Sequence, residues 1–189
     1  MNKRAAPRRS RAGASKRPAP RRSRAGVLAT VGVAALVVVI VALLWTKDDG
    51  QPAAGAEQVS FTYFDGSQGS LAELVGTPVV LNFWASWCPA CVAEMPALAE
   101  VERQFADRVA FIGMNMQEDD LAAAEALAAR AGVGYPLAHD RDGAIFLGFG
   151  GVAMPTTVLI AADGSVARVH AGALFADDLA ALIESELLG

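Results

Sequence analysis

The two cysteines of the chain stand three positions apart in the string WCPAC at residues 87–91. They follow a continuous apolar run at residues 78–84, which is typical of a strand buried on both faces, and they open a segment with helical spacing of apolar residues. A helix N-terminus presents free backbone N–H groups and partial positive charge, which favour a thiolate. The spacing also brings the sulfurs close enough for a disulfide. The pattern therefore predicts a redox-active pair.

The positions of the two thiols predict different roles. Cys88, at the exposed start of the helix, is predicted to attack, and Cys91, one turn deeper, to resolve the mixed disulfide. Pro89 falls at a first helical position, where proline is tolerated. With Ala90 it forms the intervening dipeptide, which is one of the controls of the reduction potential. We expect no cofactor beyond this disulfide.

A structural disulfide and a metal site are the alternative interpretations of the pair. A disulfide closing so short a loop would add little stability on the loop-entropy account. A metal site needs more ligands, and neither His139 nor His170 has motif spacing to the cysteines. Met114 and Met116 carry thioethers that bind Cu(I), but Met114 lies on a strand pattern typical of a core. Redox catalysis is favoured, and no metal site is expected.

The segments around the pair alternate between strand and helix patterns along residues 58–189, a length sufficient for a hydrophobic core. This order predicts an α/β fold with a mixed central sheet and helices on both faces. The predicted strands are 59–64, 78–84, 109–114, 135–138, 156–160 and 166–170, and the predicted helices are 89–105, 119–131, 144–149 and 175–188, with a helical turn at 70–74.

The N-terminal residues differ sharply from the rest in charge. Ten of the sixteen Lys and Arg residues lie in residues 1–24 without an acid, so six bases and twenty acids remain, a net charge of −14. Residues 1–26, in which the string APRRSRAG occurs twice, predict a basic disordered tail. Because the folded part should repel phosphate, a nucleic acid is not expected as a partner.

Residues 27–45 are nineteen uncharged, mostly apolar residues, enough to cross the hydrocarbon core of a bilayer as a helix. The positive residues before them predict a cytoplasmic N-terminus and an extracytoplasmic domain in a single-pass protein of the cell membrane. A signal peptide cleaved near Ala56 is the alternative, but the apolar run exceeds the usual h-region of about 7–15 residues. Residues 46–57 are predicted to be a linker.

Two stretches resemble a known family. The strings ELVGTPVVLNFWASWC at residues 73–88 and GVAMPTTVLI at residues 151–160 are similar to the thioredoxin superfamily, specifically its membrane-anchored TlpA/ResA-like branch. The resemblance extends from about residue 58 to the C-terminus. It implies a thioredoxin-like fold and thiol-disulfide exchange.

The resemblance also implies the surroundings of the cysteines. The Met154–Pro155 peptide bond is expected to be cis and to lie opposite Cys88. Proline supplies no N–H there, which leaves the neighbouring backbone free to pair with a substrate peptide. Trp87, Met154 and Pro155 are thus the expected substrate-binding residues. Glu94 matches a glutamate of the ResA-like branch thought to assist proton transfer at the cysteines, the alternative being a solvated carboxylate on a helix face.

At two positions the residue differs from the one usual in related proteins. Asn82 stands where cytoplasmic thioredoxins have a buried aspartate, and because an amide cannot relay a proton, Glu94 is the better candidate. Most of the branch has proline directly before the second cysteine, whereas Pro89 directly follows the first, as in strongly oxidising DsbA-like proteins. The direction of net electron flow therefore stays open.

Together these features predict an extracytoplasmic thiol-disulfide oxidoreductase that acts on exported proteins bearing thiols or disulfides and has a membrane redox partner. The resemblance implies a reductant, for example in cytochrome c maturation. The alternatives are a DsbA/DsbE-like oxidase of secreted proteins and a module that binds Cu(I) or a peptide.

Overall fold

The structure, a computed structural model, describes residues 58–189. The predicted tail at 1–26, membrane span at 27–45 and linker at 46–57 lie outside the described residues. Within 58–189, none of the helices combines the length and the apolar character needed to cross a bilayer.

The described part has seven strands and four α-helices. The strands are β1 (Ser60–Tyr63), β2 (Gln68–Ser70), β3 (Val79–Trp84), β4 (Ala110–Met116), β5 (Leu137–Asp140), β6 (Thr156–Ile160) and β7 (Val166–Ala171). The helices are α1 (Pro89–Phe105), α2 (Leu121–Ala131), α3 (Ala144–Gly148) and α4 (Ala176–Glu186), with a 3-10 turn at Leu71–Leu74.

The strands form one mixed sheet in the order β2-β1-β5-β4-β3-β6-β7. Strands β3, β4 and β5 run parallel, and the remaining neighbours pair antiparallel. Side chains of β3 alternate between two cores, as strand geometry requires. Leu81 and Phe83 pack in one cluster with Phe146 of α3, whereas Val80 packs in another with Leu98 of α1. The predicted mixed α/β architecture is confirmed.

Two details of the sheet differ from the sequence-based expectation. Strand β2 was not predicted, because its three residues are too few to show a period; it pairs with β1 across the turn at Asp65 and Gly66. Strand β5 was predicted at 135–138 and lies at Leu137–Asp140. Pro136 has no N–H to donate and restricts the residue before it, so the ladder with β4 begins one residue later.

Helix α2 packs beside the cysteines. The carboxylate of Asp120 accepts a hydrogen bond from the backbone N–H of Ala123 at 3.1 Å and so caps the helix start. Gly132, with φ of 74°, ends the helix in the left-handed conformation, which glycine adopts without a steric penalty. Between these caps, Leu127 is buried in the same apolar cluster as Cys91.

Candidate active site

The cysteine pair lies where β3 gives way to α1. Cys88 is the N-cap residue of α1, with an extended backbone, and Pro89 occupies the first helical turn. Cys88 and Cys91 form a disulfide with their Cα atoms 5.3 Å apart. The backbone N–H of Cys91 donates a hydrogen bond to Sγ of Cys88 at 3.2 Å. The predicted strand-to-helix location and the predicted proximity of the sulfurs are both confirmed, and the helix terminus does present a donor to the first sulfur.

The burial of Cys88 corrects one expectation. Cys88 is 5% exposed and Cys91 0% exposed, so the first cysteine is more accessible but far less open than predicted. Both cysteines pack in a cluster with Trp84 of β3 and Met95 of α1. The periodic spacing of apolar residues does not predict that these two side chains cover the first cysteine. Trp87, which directly precedes Cys88, is 57% exposed.

The proline segment also reaches the site. The Met154–Pro155 bond is cis, as the family resemblance implies. Pro155 directly precedes β6, whose first residue Thr156 pairs with Phe83 near the carboxyl end of β3. Met154 is half-buried and packs against the cluster that holds both cysteines. The geometry therefore brings Met154 and Pro155 to the same end of β3 as Cys88.

Glu94 is fully enclosed. Its residue exposure is 0%, so the alternative of a solvated helix-face carboxylate is wrong. Oε1 accepts a hydrogen bond from Nδ2 of Asn82 at 2.9 Å, and Oε2 accepts one from the backbone N–H of Leu174 at 2.9 Å. Burial raises the pKa of Glu94 to about 7, although both hydrogen bonds act to lower it.

Asn82 links β3 to the elements on either side. Besides Glu94, its Nδ2 donates to Oγ1 of Thr157 on β6 at 3.1 Å. Its Oδ1 has no hydrogen-bond partner among the described residues. The amide thus bridges α1 and β6 without titrating, which leaves Glu94 as the ionisable group of this contact.

The methionines and histidines of the metal alternatives lie elsewhere. Met114 and Met116 are buried in the cluster on the α3 side of the sheet, whereas the cysteines belong to a different cluster. His139 on β5 stacks on Phe64 at a centroid distance of 4.4 Å. His170 lies on β7, two strands away from β3. Residues 58–189 contain no group of three or more His, Cys, Asp or Glu arranged to hold a metal ion.

One carboxylate near the site is not predicted by any sequence pattern. Glu118 follows β4 and is buried, and it accepts hydrogen bonds from both the backbone and the side chain of Ser86, two residues before Cys88. Its neighbours in the string MQEDD are typical of an acidic loop. The local sequence does not indicate that the carboxylate contacts another loop.

Known proteins of similar sequence and structure share this chemistry. Residues 50–182 match the Redoxin family. The chain is 32% identical over 148 residues to the thiol-disulfide oxidoreductase ResA of Halalkalibacterium halodurans, covering 74% of this chain and 84% of that protein.

Two solved structures show the same fold. A secreted Mycobacterium tuberculosis disulfide oxidoreductase homologous to E. coli DsbE superposes with a TM-score of 0.63 at 28% identity, covering 69% of this chain and 97% of that one. A DsbF homologue of Corynebacterium diphtheriae gives a TM-score of 0.62 at 28% identity, covering 67% and 83%.

The Redoxin match spans both cysteines and most of the described elements, so sequence similarity, fold and the chemistry of the pair agree. Disulfide exchange proceeds between cysteine sulfurs and draws on no further cofactor. The chain accordingly belongs to the Redoxin family and is a thiol-disulfide oxidoreductase of thioredoxin-like fold, similar to ResA.

Proposed function

We propose that this oxidoreductase exchanges disulfides with exported proteins, with Cys88 as the attacking thiol and Cys91 as the resolving thiol. In the reducing direction the Cys88 thiolate attacks a substrate disulfide and releases one substrate thiolate. The Cys91 thiolate then attacks the Cys88 sulfur and releases the second. Two electrons pass to the substrate and the Cys88–Cys91 disulfide forms. The observation that carries this assignment is the Cys91 N–H bonded to Sγ of Cys88, which is the more accessible of the two cysteines.

The surface beside Cys88 supports a polypeptide as the substrate. Trp87 and Val152 are 57% and 86% exposed, and Val92, one turn into α1, is also exposed. Exposed apolar side chains that gather in one patch mark a contact surface. Pro155 adds a backbone position without an N–H, which leaves its neighbours free to pair with an extended peptide. Trp87, Met154 and Pro155 are therefore the proposed substrate-binding residues.

Glu94 is proposed to carry the proton that Cys91 must lose before it attacks. It lies three residues after Cys91 on α1, a spacing that places both side chains on neighbouring positions of one helix face. A general base works best with a pKa near the operating pH, and the pKa of Glu94 is raised to about 7 by burial.

For the direction of electron flow we propose a reductant, with apocytochrome c before haem attachment as a candidate substrate. Similarity to ResA supports a place in that branch. An oxidase of secreted proteins is the second candidate, favoured by Pro89 directly after Cys88 and by the structural likeness to a secreted disulfide oxidoreductase.

The reduction potential of the Cys88–Cys91 couple separates the two directions. A reductant should equilibrate near the thioredoxin value of about −270 mV, and an oxidase nearer the DsbA value of about −120 mV. Insulin reduction and RNase oxidative refolding by the purified full-length chain provide the matching turnover assays. If neither assay shows turnover, and Cys88→Ser and Cys91→Ser give the same result as the wild type, the chain is a binding module and not an enzyme that acts on proteins.

We further propose that residues 27–45 anchor the chain in the cell membrane, with the N-terminus in the cytoplasm, the catalytic domain outside and a membrane protein as redox partner. The ten basic residues before the apolar run support this orientation. In cells whose outer layers are permeable, added protease should digest the domain and spare the basic tail. A protected domain would overturn the orientation, and a domain released into the medium would favour cleavage near Ala56.

A further inference from the structure

A buried carboxylate holds the loop that precedes Cys88. Glu118 is 7% exposed, and its Oε2 accepts hydrogen bonds from the backbone N–H of Ser86 at 2.9 Å and from Nδ2 of Asn115 at 2.6 Å. Its other oxygen, Oε1, accepts one from Oγ of Ser86. Three neutral donors thus converge on one side chain. An ionised carboxylate only accepts hydrogen bonds, and such charge-assisted bonds are stronger than bonds between neutral groups.

This carboxylate joins two loops at one edge of the sheet. Asn115 pairs in register with Trp84, the last residue of β3, so the parallel strands β3 and β4 end side by side. The loop after β3 contains Ser86, and the loop after β4 contains Glu118. The contact between them is therefore a tertiary link across the edge where the cysteines lie.

The backbone around Glu118 is shaped to make this link. Gln117 has a φ of 47°, a left-handed conformation that costs a residue other than glycine about 1–2 kcal/mol. It is held there by its N–H to the carbonyl of Asp140 at 3.0 Å and by its Nε2 to the carbonyl of Asp142 at 3.2 Å. This strained residue directly precedes Glu118, at the point where the backbone turns and brings the carboxylate to Ser86.

The loop that Glu118 holds is coupled directly to the reactive sulfur. The N–H of Cys88 donates to the carbonyl of Ala85 at 3.2 Å, which closes a turn over residues 85–88. Ser86 is the second residue of this turn, and Cys88 ends it as the N-cap of α1. Restraining Ser86 therefore restrains the direction from which Cys88 presents its Sγ to the N–H of Cys91.

We propose that Glu118 is a positioning residue for disulfide exchange: by fixing Ser86 and the turn of residues 85–88, it keeps the Cys88 sulfur aligned with the N–H of Cys91 when the pair is reduced. A donor already in place stabilises the thiolate without a reorganisation cost. This inference rests on the proposed role of Cys88 as the attacking thiol.

The test is the alkylation rate of Cys88 in the reduced full-length chain, measured with iodoacetamide at pH 6 and at pH 9. Glu118→Gln keeps the shape of the side chain but loses its charge and one of its two acceptors. Loss of a nearby negative charge alone would favour the Cys88 thiolate and raise the rate at pH 6. Loss of positioning has the opposite effect, and we expect the rate at pH 6 to fall by about fivefold. At pH 9, above the ordinary thiol pKa of about 8.5, the two rates should converge.

Asp163→Asn is the matched control. Oδ1 of Asp163 accepts hydrogen bonds from the backbone N–H of Ser165 at 2.9 Å and from its hydroxyl at 2.6 Å, the same kinds of donor that Ser86 offers to Glu118. This turn joins β6 to β7 at the opposite end of β3 from Cys88, so we expect Asp163→Asn to leave the alkylation rate at pH 6 unchanged. Ser86→Ala, which removes the hydroxyl bond and keeps the N–H bond, should slow the reaction less. It should add nothing in the Glu118→Gln background, because both changes then remove the same contact.

The outcomes separate this inference from the proposed function. Wild-type alkylation that is as fast at Cys91 as at Cys88 overturns the assignment of the attacking thiol. If Cys88 is the faster thiol, then an unchanged or raised rate in Glu118→Gln, or an equal slowing in Asp163→Asn, overturns the positioning role alone. Should Glu118→Gln fail to fold, an unchanged rate in Ser86→Ala overturns it and a lowered rate supports it.

Discussion

Asn82 on β3 donates a hydrogen bond of 2.9 Å from its Nδ2 to Oε1 of Glu94 on α1, and both side chains are buried. The contact joins the strand that leads to the cysteines with the helix that carries them. Because Oε2 of Glu94 also accepts from the N–H of Leu174, the carboxylate connects β3 with the segment before α4. A group that titrates near neutral pH thus lies at the junction of three elements.

The first prediction concerns stability against pH. The pKa of Glu94 is about 7 in the folded chain, above its ordinary value of 4.5, so the folded state retains a proton that the unfolded state loses. The resulting stabilisation is complete below pH 4.5 and is lost as the pH rises through 7, with a limit on the order of 3 kcal/mol. Glu94→Gln should remove this loss, so that variant minus wild-type stability rises between pH 5 and pH 8 in urea denaturation.

The introduced amide can keep its partners, because Oδ1 of Asn82 has no partner among the described residues and the Asn82 amide can rotate to accept. Glu100→Gln, at an exposed position of α1, is the control and should follow the wild-type pH dependence. Parallel curves for wild type and Glu94→Gln would contradict the prediction.

The second prediction concerns the two cysteines. Cys91→Ser should accumulate mixed disulfides with substrate proteins, because Cys88 can attack and nothing releases the product. Cys88→Ser should accumulate few, since Cys91 is completely buried. Trapping followed by non-reducing electrophoresis and mass spectrometry measures both. Equal amounts from the two variants would show that the roles are wrongly assigned.

The third prediction concerns the dipeptide between the cysteines. Replacing Pro89-Ala90 by Glu-Pro removes the N–H of residue 90, one of the free donors at the start of α1. The Cys88 thiolate should become less stable, and the potential should fall by tens of millivolts, where 30 mV is about 1.4 kcal/mol. Equilibration with glutathione measures the shift.

Pro89→Glu alone keeps the N–H of Ala90 and is the control for that substitution. If the lost donor is the cause, the single variant should retain more of the wild-type potential than the double variant. An unchanged potential in the double variant would show that the dipeptide does not control the couple, and would remove the sequence argument for an oxidase.

The fourth prediction concerns packing beneath the site. A Cβ added at Gly113 on β4 would lie 2.7 Å from Cδ2 of Leu137 and 2.9 Å from Nε1 of Trp84. Gly113→Ala should therefore lower the free energy of unfolding by about 1–3 kcal/mol. Gly148→Ala meets no atom within 4 Å and should be neutral or stabilising by up to about 1 kcal/mol. The midpoints of urea denaturation measure the stabilities of the two variants. Equal midpoints would contradict the prediction that a side chain at Gly113 is crowded.

Local chemistry was enough to predict much of the fold. The apolar run of β3 and the helical period of α1 are properties of consecutive residues, so their bounds follow closely from the sequence. The short strand β2 was missed, and the start of β5 was misplaced, because pairing with a neighbour decides where such short ladders begin.

The sequence by itself determined the cysteine pair, its place at a strand-to-helix junction and the proline segment of the site, because spacing and family resemblance encode them. Only the tertiary structure decided the states of the carboxylates. The family resemblance points to Glu94 and no pattern points to Glu118, and both are buried against partners distant in sequence, Leu174 for one and Ser86 for the other. Burial and hydrogen bonding depend on which segments meet in space, and no local pattern records that for a single carboxylate.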